Sequence, residues 1–118
     1  MTRVTLYGIA NCDTIKKARD WLGEHRIEFE FHDYRKQGLD KSLLQSMESA
    51  LGWEAMLNRR GTTWRGLPAP VRQGMDRATA LEVMLEIPAI IKRPILSRND
   101  RLFVGFSDHQ YQEIFSQP

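Results

Sequence analysis

The chain has 118 residues, 42% of them hydrophobic, 27% charged and 9% aromatic, an ordinary composition for one soluble globular domain with a real core. Its net charge is only +2, and Lys and Arg are scattered, which argues against the basic footprint of a nucleic-acid binder. No apolar run nears the ~18 residues a membrane span needs, and a single cysteine excludes an internal disulfide, so a reducing, cytoplasmic setting is expected.

The opening MTRVTLYGIA enters a strand pattern at once, so no signal peptide is expected. Val4 to Tyr7 is β-rich and runs into a turn at Gly8. Asn11-Cys12-Asp13-Thr14 offers helix N-cap chemistry. Ile15, Ala18, Arg19, Trp21 and Leu22 then fall near helical spacing, and Gly23 marks the exit. Ile27 to Phe31 alternates apolar and polar residues, as a half-buried strand does. Strand, helix, strand in this compass implies a β-α-β unit with parallel strands and a right-handed crossover.

The middle of the chain reads as helical. Leu43, Leu44, Met47 and Leu51 recur at helical spacing behind Asp40 as a cap. Trp53 to Leu57 adds a turn or two and ends in Arg59-Arg60-Gly61. Residues 61–75 carry three glycines and two prolines, which predicts a loop with one short turn. A helix follows over Asp76 to Glu86, stopped by Pro88. Ile95-Leu96 and Leu102-Phe103-Val104 then flank a polar hairpin connection, and Ser107-Asp108 caps a closing helix striped by Tyr111, Ile114 and Phe115. The order β-α-β, several helices, β-β-α is that of an α/β protein with a thioredoxin-like mixed sheet. One domain over 1–118 is expected, its thioredoxin-like part at about 1–38 and 88–118 and its helical insertion at about 39–87.

Cys12 is the residue to explain. A lone cysteine is most often a small buried hydrophobe. This one follows a strand and opens a helix among Asn11, Asp13 and Thr14, where free backbone N–H groups and the positive helix end favour a thiolate. Lys16, one turn on, adds a cation, whereas Asp13 opposes it. One helix end contributes up to about 2 kcal/mol, so a guanidinium is needed as well. Arg59, Arg60 and Arg93 are the candidates. Arg93 stands out because it precedes Pro94 directly before a strand, where the peptide bond is either cis, presenting backbone groups to a peptide-like ligand, or plain trans.

Position 15, where a CxxC partner would lie, is Ile15. A mixed disulfide on Cys12 must therefore be resolved by an external thiol, and glutathione is the economical choice. His25, His32 and His109 show no metal-ligand spacing with Cys12, so no metal is expected. Trp53 and Trp64 beside arginines suggest base stacking, but such tryptophans more often pack an insertion onto its domain.

Tyr7-Gly8-Ile9-Ala10-Asn11-Cys12-Asp13-Thr14, Lys16-Lys17-Ala18, Asp33-Tyr34, Ile91-Lys92-Arg93-Pro94-Ile95 and Val104-Gly105-Phe106 together resemble the ArsC/Spx/YffB family, most nearly its YffB-type branch. The resemblance covers nearly the whole chain and implies a thioredoxin-like fold with a helical insertion. It implies a catalytic cysteine at Cys12 and arginines at Arg59 (Arg60 in the alternative register) and Arg93. Asn11, Asp13, Thr14, Lys16 and Pro94 would line the substrate or glutathione site. A third arginine of the arsenate reductases falls at Val104 here, and a histidine of theirs at Gly8. A glutathione-dependent monothiol reductase is thus expected, with no bound cofactor, glutathione as cosubstrate and glutaredoxin as a further partner. The alternatives are an arsenate reductase proper and a Spx-like regulator of RNA polymerase, although Spx-type proteins commonly carry a CxxC switch. A monomer is expected.

Overall fold

The computed structural model describes residues 3–117. They form two compact units, one comprising the chain through Lys36 together with the stretch from Arg93 onward, the other Gln37–Lys92.

The first unit carries strands β1 (Val4–Gly8), β2 (Glu30–Asp33), β3 (Ile95–Arg98) and β4 (Arg101–Val104), with helices α1 (Asp13–Glu24) and α8 (Asp108–Phe115). A short helix, α2 (Tyr34–Gln37), follows β2. The sheet order is β2-β1-β3-β4. β1 pairs parallel with β2 and antiparallel with β3, and β3 pairs antiparallel with β4. This is the α/β mixed sheet the element order implied.

Register sorts the strand residues by face. Leu6 lies opposite Phe31 and Leu96, and Leu96 opposite Phe103. These join Val4, Ala18, Trp21, Leu22, Tyr111 and Ile114 in one core cluster. Each fully buried leucine here contributes about 1.5–3 kcal/mol.

Local signals set most boundaries, and four of them move. α1 runs through Gly23 and ends with His25 as its cap, because Arg26 takes φ 56° and the N–H groups of Arg26 and Ile27 close back on the carbonyls of Gly23 and Leu22. That is a Schellman closure with arginine where glycine is usual. The Ile27 N–H is thereby used by the helix, so β2 begins at Glu30 rather than at Ile27. The hairpin is tighter than expected. Its strands reach Arg98 and Arg101, leaving only Asn99 and Asp100, both at positive φ, as a two-residue turn. Finally, residues 61–75 hold two short helices rather than one turn in a loop, α5 (Thr62–Arg65) and α6 (Ala69–Gln73). Pro70 stands in the first turn of α6, where no N–H is required.

The second unit also contains α3 (Lys41–Leu51), α4 (Trp53–Met56) and α7 (Arg77–Glu86), followed by a 3-10 turn at Pro88–Ile90. Asp40 and Asp76 cap α3 and α7 by accepting from the N–H groups of Leu43 and Thr79. α3, α4 and α7 pack on one another, burying Leu44, Met47, Met56, Ala80, Val83 and Met84.

Two consequences are measurable. A Cβ at Gly8 would lie 2.3 Å from Cδ1 of Ile15, which is itself fully buried. Gly8→Ala is expected to cost about 1–3 kcal/mol by overpacking, and Ile15→Val in the same chain to recover part of it. Urea denaturation of the two variants checks this. Burial also raises the Tyr34 and Tyr111 hydroxyls well above the ordinary tyrosine range. Both stay protonated when folded, whereas unfolded tyrosines ionise near pH 10, so stability is fully present below that pH and is lost as pH rises beyond it. The Tyr111 hydroxyl has no hydrogen-bond partner among the described residues. Tyr111→Phe should therefore leave Tm unchanged or raised at neutral pH and make its alkaline fall shallower.

Candidate active site

The site begins where β1 ends. Ile9, Ala10 and Asn11 carry the chain from Gly8 to Cys12, whose N–H donates to the Ala10 carbonyl at 3.0 Å. Cys12 is the N-cap of α1, in extended conformation (φ −147°, ψ 128°), and its carbonyl accepts from the Lys16 N–H at 3.0 Å. No side chain caps this helix. The cap role expected of the Asn11 to Thr14 group thus falls to the Cys12 backbone alone. Cys12 is a free thiol, half-buried. The lone thiol therefore sits at the positive helix end, at a cap position whose side chain makes no cap hydrogen bond.

An open cavity of about 560 Å³ lies over it, lined by Ala10, Asn11, Cys12, Asp13, Lys16, Arg19 and Asp20. Asn11, Cys12, Asp13 and Lys16 were anticipated as neighbours, and the structure brings them together. Thr14 stands in the first turn of α1 without lining the cavity. Arg19 and Asp20 were missed. The signal was in the spacing, since Lys16 and Arg19 follow Cys12 at i+4 and i+7, one stripe of a helix. What fixes Arg19 is not local, for its guanidinium lies 4.7 Å from the ring centroid of Phe31 on β2.

Arg93 and Pro94 belong to the same unit as Cys12. The Arg93–Pro94 peptide bond is cis. Pro94 is buried, and its carbonyl accepts from the Gly105 N–H at 2.8 Å. Arg93 is half-buried, with its Cγ 3.8 Å from where a Gly8 Cβ would stand. That places it beside the end of the strand that leads to Cys12. Tyr34 is close enough to feel it electrostatically. Burial and the neighbouring Tyr7 push the Tyr34 hydroxyl up, and the Arg93 charge works in the opposite direction. Tyr7, His32 and Tyr34 form a contiguous aromatic group, with centroids 5.1 to 6.5 Å apart. The Tyr7 hydroxyl is raised by burial and then by the carboxylates of Glu30 and Asp100.

Arg59 lies in the second unit. Its guanidinium is 6.0 Å from the Trp53 ring and 5.5 Å from the Trp64 ring, so both tryptophans hold this arginine by cation–π contact. A cavity of about 470 Å³ there is lined by Glu54, Leu57, Arg59, Arg60 and Lys92. Leu57 and Ile91 form an antiparallel bridge, and the Lys92 N–H donates to the Met56 carbonyl at 2.7 Å, which sets Lys92 against this segment.

Among the described residues no three His, Cys, Asp or Glu side chains are grouped to hold a metal, and no helix is long and apolar enough to cross a membrane. At Gly8, the space a side chain would need is taken by Ile15.

The ArsC family model matches residues 7–114. The solution structure of an arsenate reductase (ArsC) related protein from Brucella melitensis is 51% identical, with TM-score 0.81 over 96% of this chain and 94% of its own. The structure of a YffB protein is 44% identical, with TM-score 0.88 over 93% and 96%. An uncharacterized protein of Haemophilus influenzae is 46% identical over 113 residues, covering 96% of this chain and 99% of its own. The global transcriptional regulator Spx of Streptococcus agalactiae is 28% identical over 109 residues, covering 91% and 79%. With the sheet, the insertion and the cysteine at the head of α1 in place, this chain belongs to the ArsC family, as a YffB-like, arsenate-reductase-like thiol reductase of thioredoxin-like fold.

Proposed function

We propose that the protein is a glutathione-dependent monothiol reductase working in the cytoplasm as a monomer without a bound cofactor. The observation that carries this reading is the placement of the only cysteine in an open cavity at the uncapped start of α1, while position 15 is filled by a fully buried isoleucine. The reaction runs in two balanced exchanges. The Cys12 thiolate attacks the glutathione sulfur of a mixed disulfide, forming a Cys12–glutathione disulfide and releasing the substrate as thiolate, which takes a proton from solvent. A second glutathione thiolate then attacks that bond, leaving oxidised glutathione and the Cys12 thiolate. The net exchange consumes one mixed disulfide and one glutathione thiol and yields one substrate thiol and one oxidised glutathione.

Each site residue has a role in this scheme. Cys12 is the nucleophile. Arg93 supplies positive charge that stabilises the thiolate and the departing anion, and Arg59 is the arginine of the second unit to which the family resemblance gives a catalytic role. Asn11, Asp13, Thr14, Lys16 and Pro94 form the surroundings of the bound peptide. Glutaredoxin is a further partner, whose thiol takes the glutathionyl group from Cys12 in place of the second glutathione and releases the Cys12 thiolate. Arsenate is disfavoured as substrate because two oxyanion-site groups of the arsenate reductases have Gly8 and Val104 in their places.

The likeness to Spx favours a second reading, a regulator that engages RNA polymerase. Ile15 weighs against it, since no disulfide switch can form at Cys12, but polymerase binding does not require one.

Turnover of a glutathionylated peptide, followed by chromatography, tests the first reading. Cys12→Ser is expected to reduce the rate to the uncatalysed level and Arg93→Ala to reduce it by roughly tenfold, about 1.4 kcal/mol of barrier. Undiminished turnover by Cys12→Ser eliminates the reductase. RNA polymerase co-purifying with wild type and Cys12→Ser alike, without thiol turnover, establishes the regulator instead.

A further inference from the structure

We infer that Arg19 is a specificity-determining residue that binds a terminal carboxylate of the peptide thiol, and that the cavity over Cys12 selects a ligand bearing both carboxylate and ammonium groups. This inference rests on Cys12 being the reacting sulfur, and it concerns what the same cavity recognises.

Arg19 is exposed but not loose. Its guanidinium rests 4.7 Å from the Phe31 ring, and Phe31 belongs to β2, paired opposite Leu6 and packed against the core cluster. A cation seated on an aromatic face keeps its in-plane N–H donors free at the edge, where a carboxylate meets them in bidentate fashion. Neither Arg19 nor Lys16 has an ion-pair partner among the described residues, although both line the cavity.

The distances suit a tripeptide. Seven residues of α1 at about 1.5 Å rise separate Cys12 from Arg19 by about 10 Å along the helix. With its central thiol at Cys12, one arm of an extended three-residue peptide reaches about half of its roughly 10 Å length along the helix, to the level of Lys16, and the long Arg19 side chain spans the remaining gap. The charge pattern is also selective. Asp13 and Asp20 line the same cavity as Lys16 and Arg19, so two carboxylates face two cations. A bare oxyanion meets repulsion from both aspartates, whereas glutathione carries two carboxylates for the cations and one ammonium for an aspartate.

The test compares glutathione with its diethyl ester, which presents the same thiol with both carboxylates capped. In the wild type, KM for glutathione should be about tenfold lower than for the ester. Arg19→Ala should raise the glutathione KM about tenfold with kcat nearly unchanged and leave the ester kinetics alone. Arg19→Lys should restore part of the difference, and Phe31→Leu, which keeps the charge but removes its platform, should fall between. Equal loss with both thiols, or no change, overturns the assignment. Titration with S-methylglutathione, which cannot react, reads binding independently of turnover through amide NMR shifts along α1. Saturable shifts in wild type and Cys12→Ser that vanish in Arg19→Ala support the inference even if no turnover is found. The absence of shifts in wild type, or saturation by inorganic phosphate at comparable concentration, refutes it.

Discussion

Ile15 packs against Gly8 so closely that the absence of a Cβ at Gly8 is what lets α1 sit where it does. Gly8 is the last residue of β1, held in register opposite Asp33 of β2, and Ile15 is a buried residue of the first turns of α1. The contact ties the end of a central strand to the start of a helix. Cys12 lies between these two anchors, on a link of only a few residues whose turn is closed by the Cys12 N–H on Ala10. Cores of protein density do not yield freely to an added methyl group, so the sulfur's position inherits the rigidity of strand and helix. A reactive group held by elements rather than by a mobile loop loses less order when it meets a ligand.

That junction also explains how charge gathers at the site. An uncapped helix start presents donors and a positive end, and Asp13 in the first turn is the acidic residue such a terminus attracts. Lys16 and Arg19 continue along the same stripe. Arg93 arrives from the other side of the sequence, through the residue before β3, and stands beside Gly8. Two cations thus line the cavity over Cys12 by the helical period, and a third is set beside the end of β1 by the chain entering β3.

Much of this was legible because it is local. Asp40, Asp76 and Ser107 each accept a first-turn N–H as their residue types suggest, and a polar hairpin connection joins β3 and β4, although its turn is only Asn99-Asp100. What escaped was decided elsewhere. The alternation Ile27 to Phe31 is a sound strand signal, yet its first residues were claimed by a helix closure that needs Arg26 at positive φ, which nothing in an arginine announces. Glycine and proline in 61–75 read as a loop because the breaker signal does not say that a proline stands in a first turn. In the sequence Arg19 shows only as part of the helical spacing of α1, and Phe31, brought over by β2, is what gives its guanidinium a seat. The expected cap at Asn11 to Thr14 was right in place and wrong in chemistry, since the residue at the cap is the thiol itself.

The volume at position 15 links the fold to the chemistry. A dithiol enzyme carries its resolving sulfur one turn from the nucleophile and need recognise only one partner. Here that volume is used to lock the strand–helix junction, and a cysteine in its place would leave a cavity against Gly8. In the proposed reaction position 15 is given to packing, so a second thiol comes from solution and is delivered to the same sulfur in a defined pose. On that proposal, recognition is built around Cys12, on surfaces that a self-resolving site could leave plain. A cavity lined by paired opposite charges along the first two turns of α1 is the form such recognition takes, and its cations point outward because the inward face is already occupied by Ile15, Ala18 and Leu22.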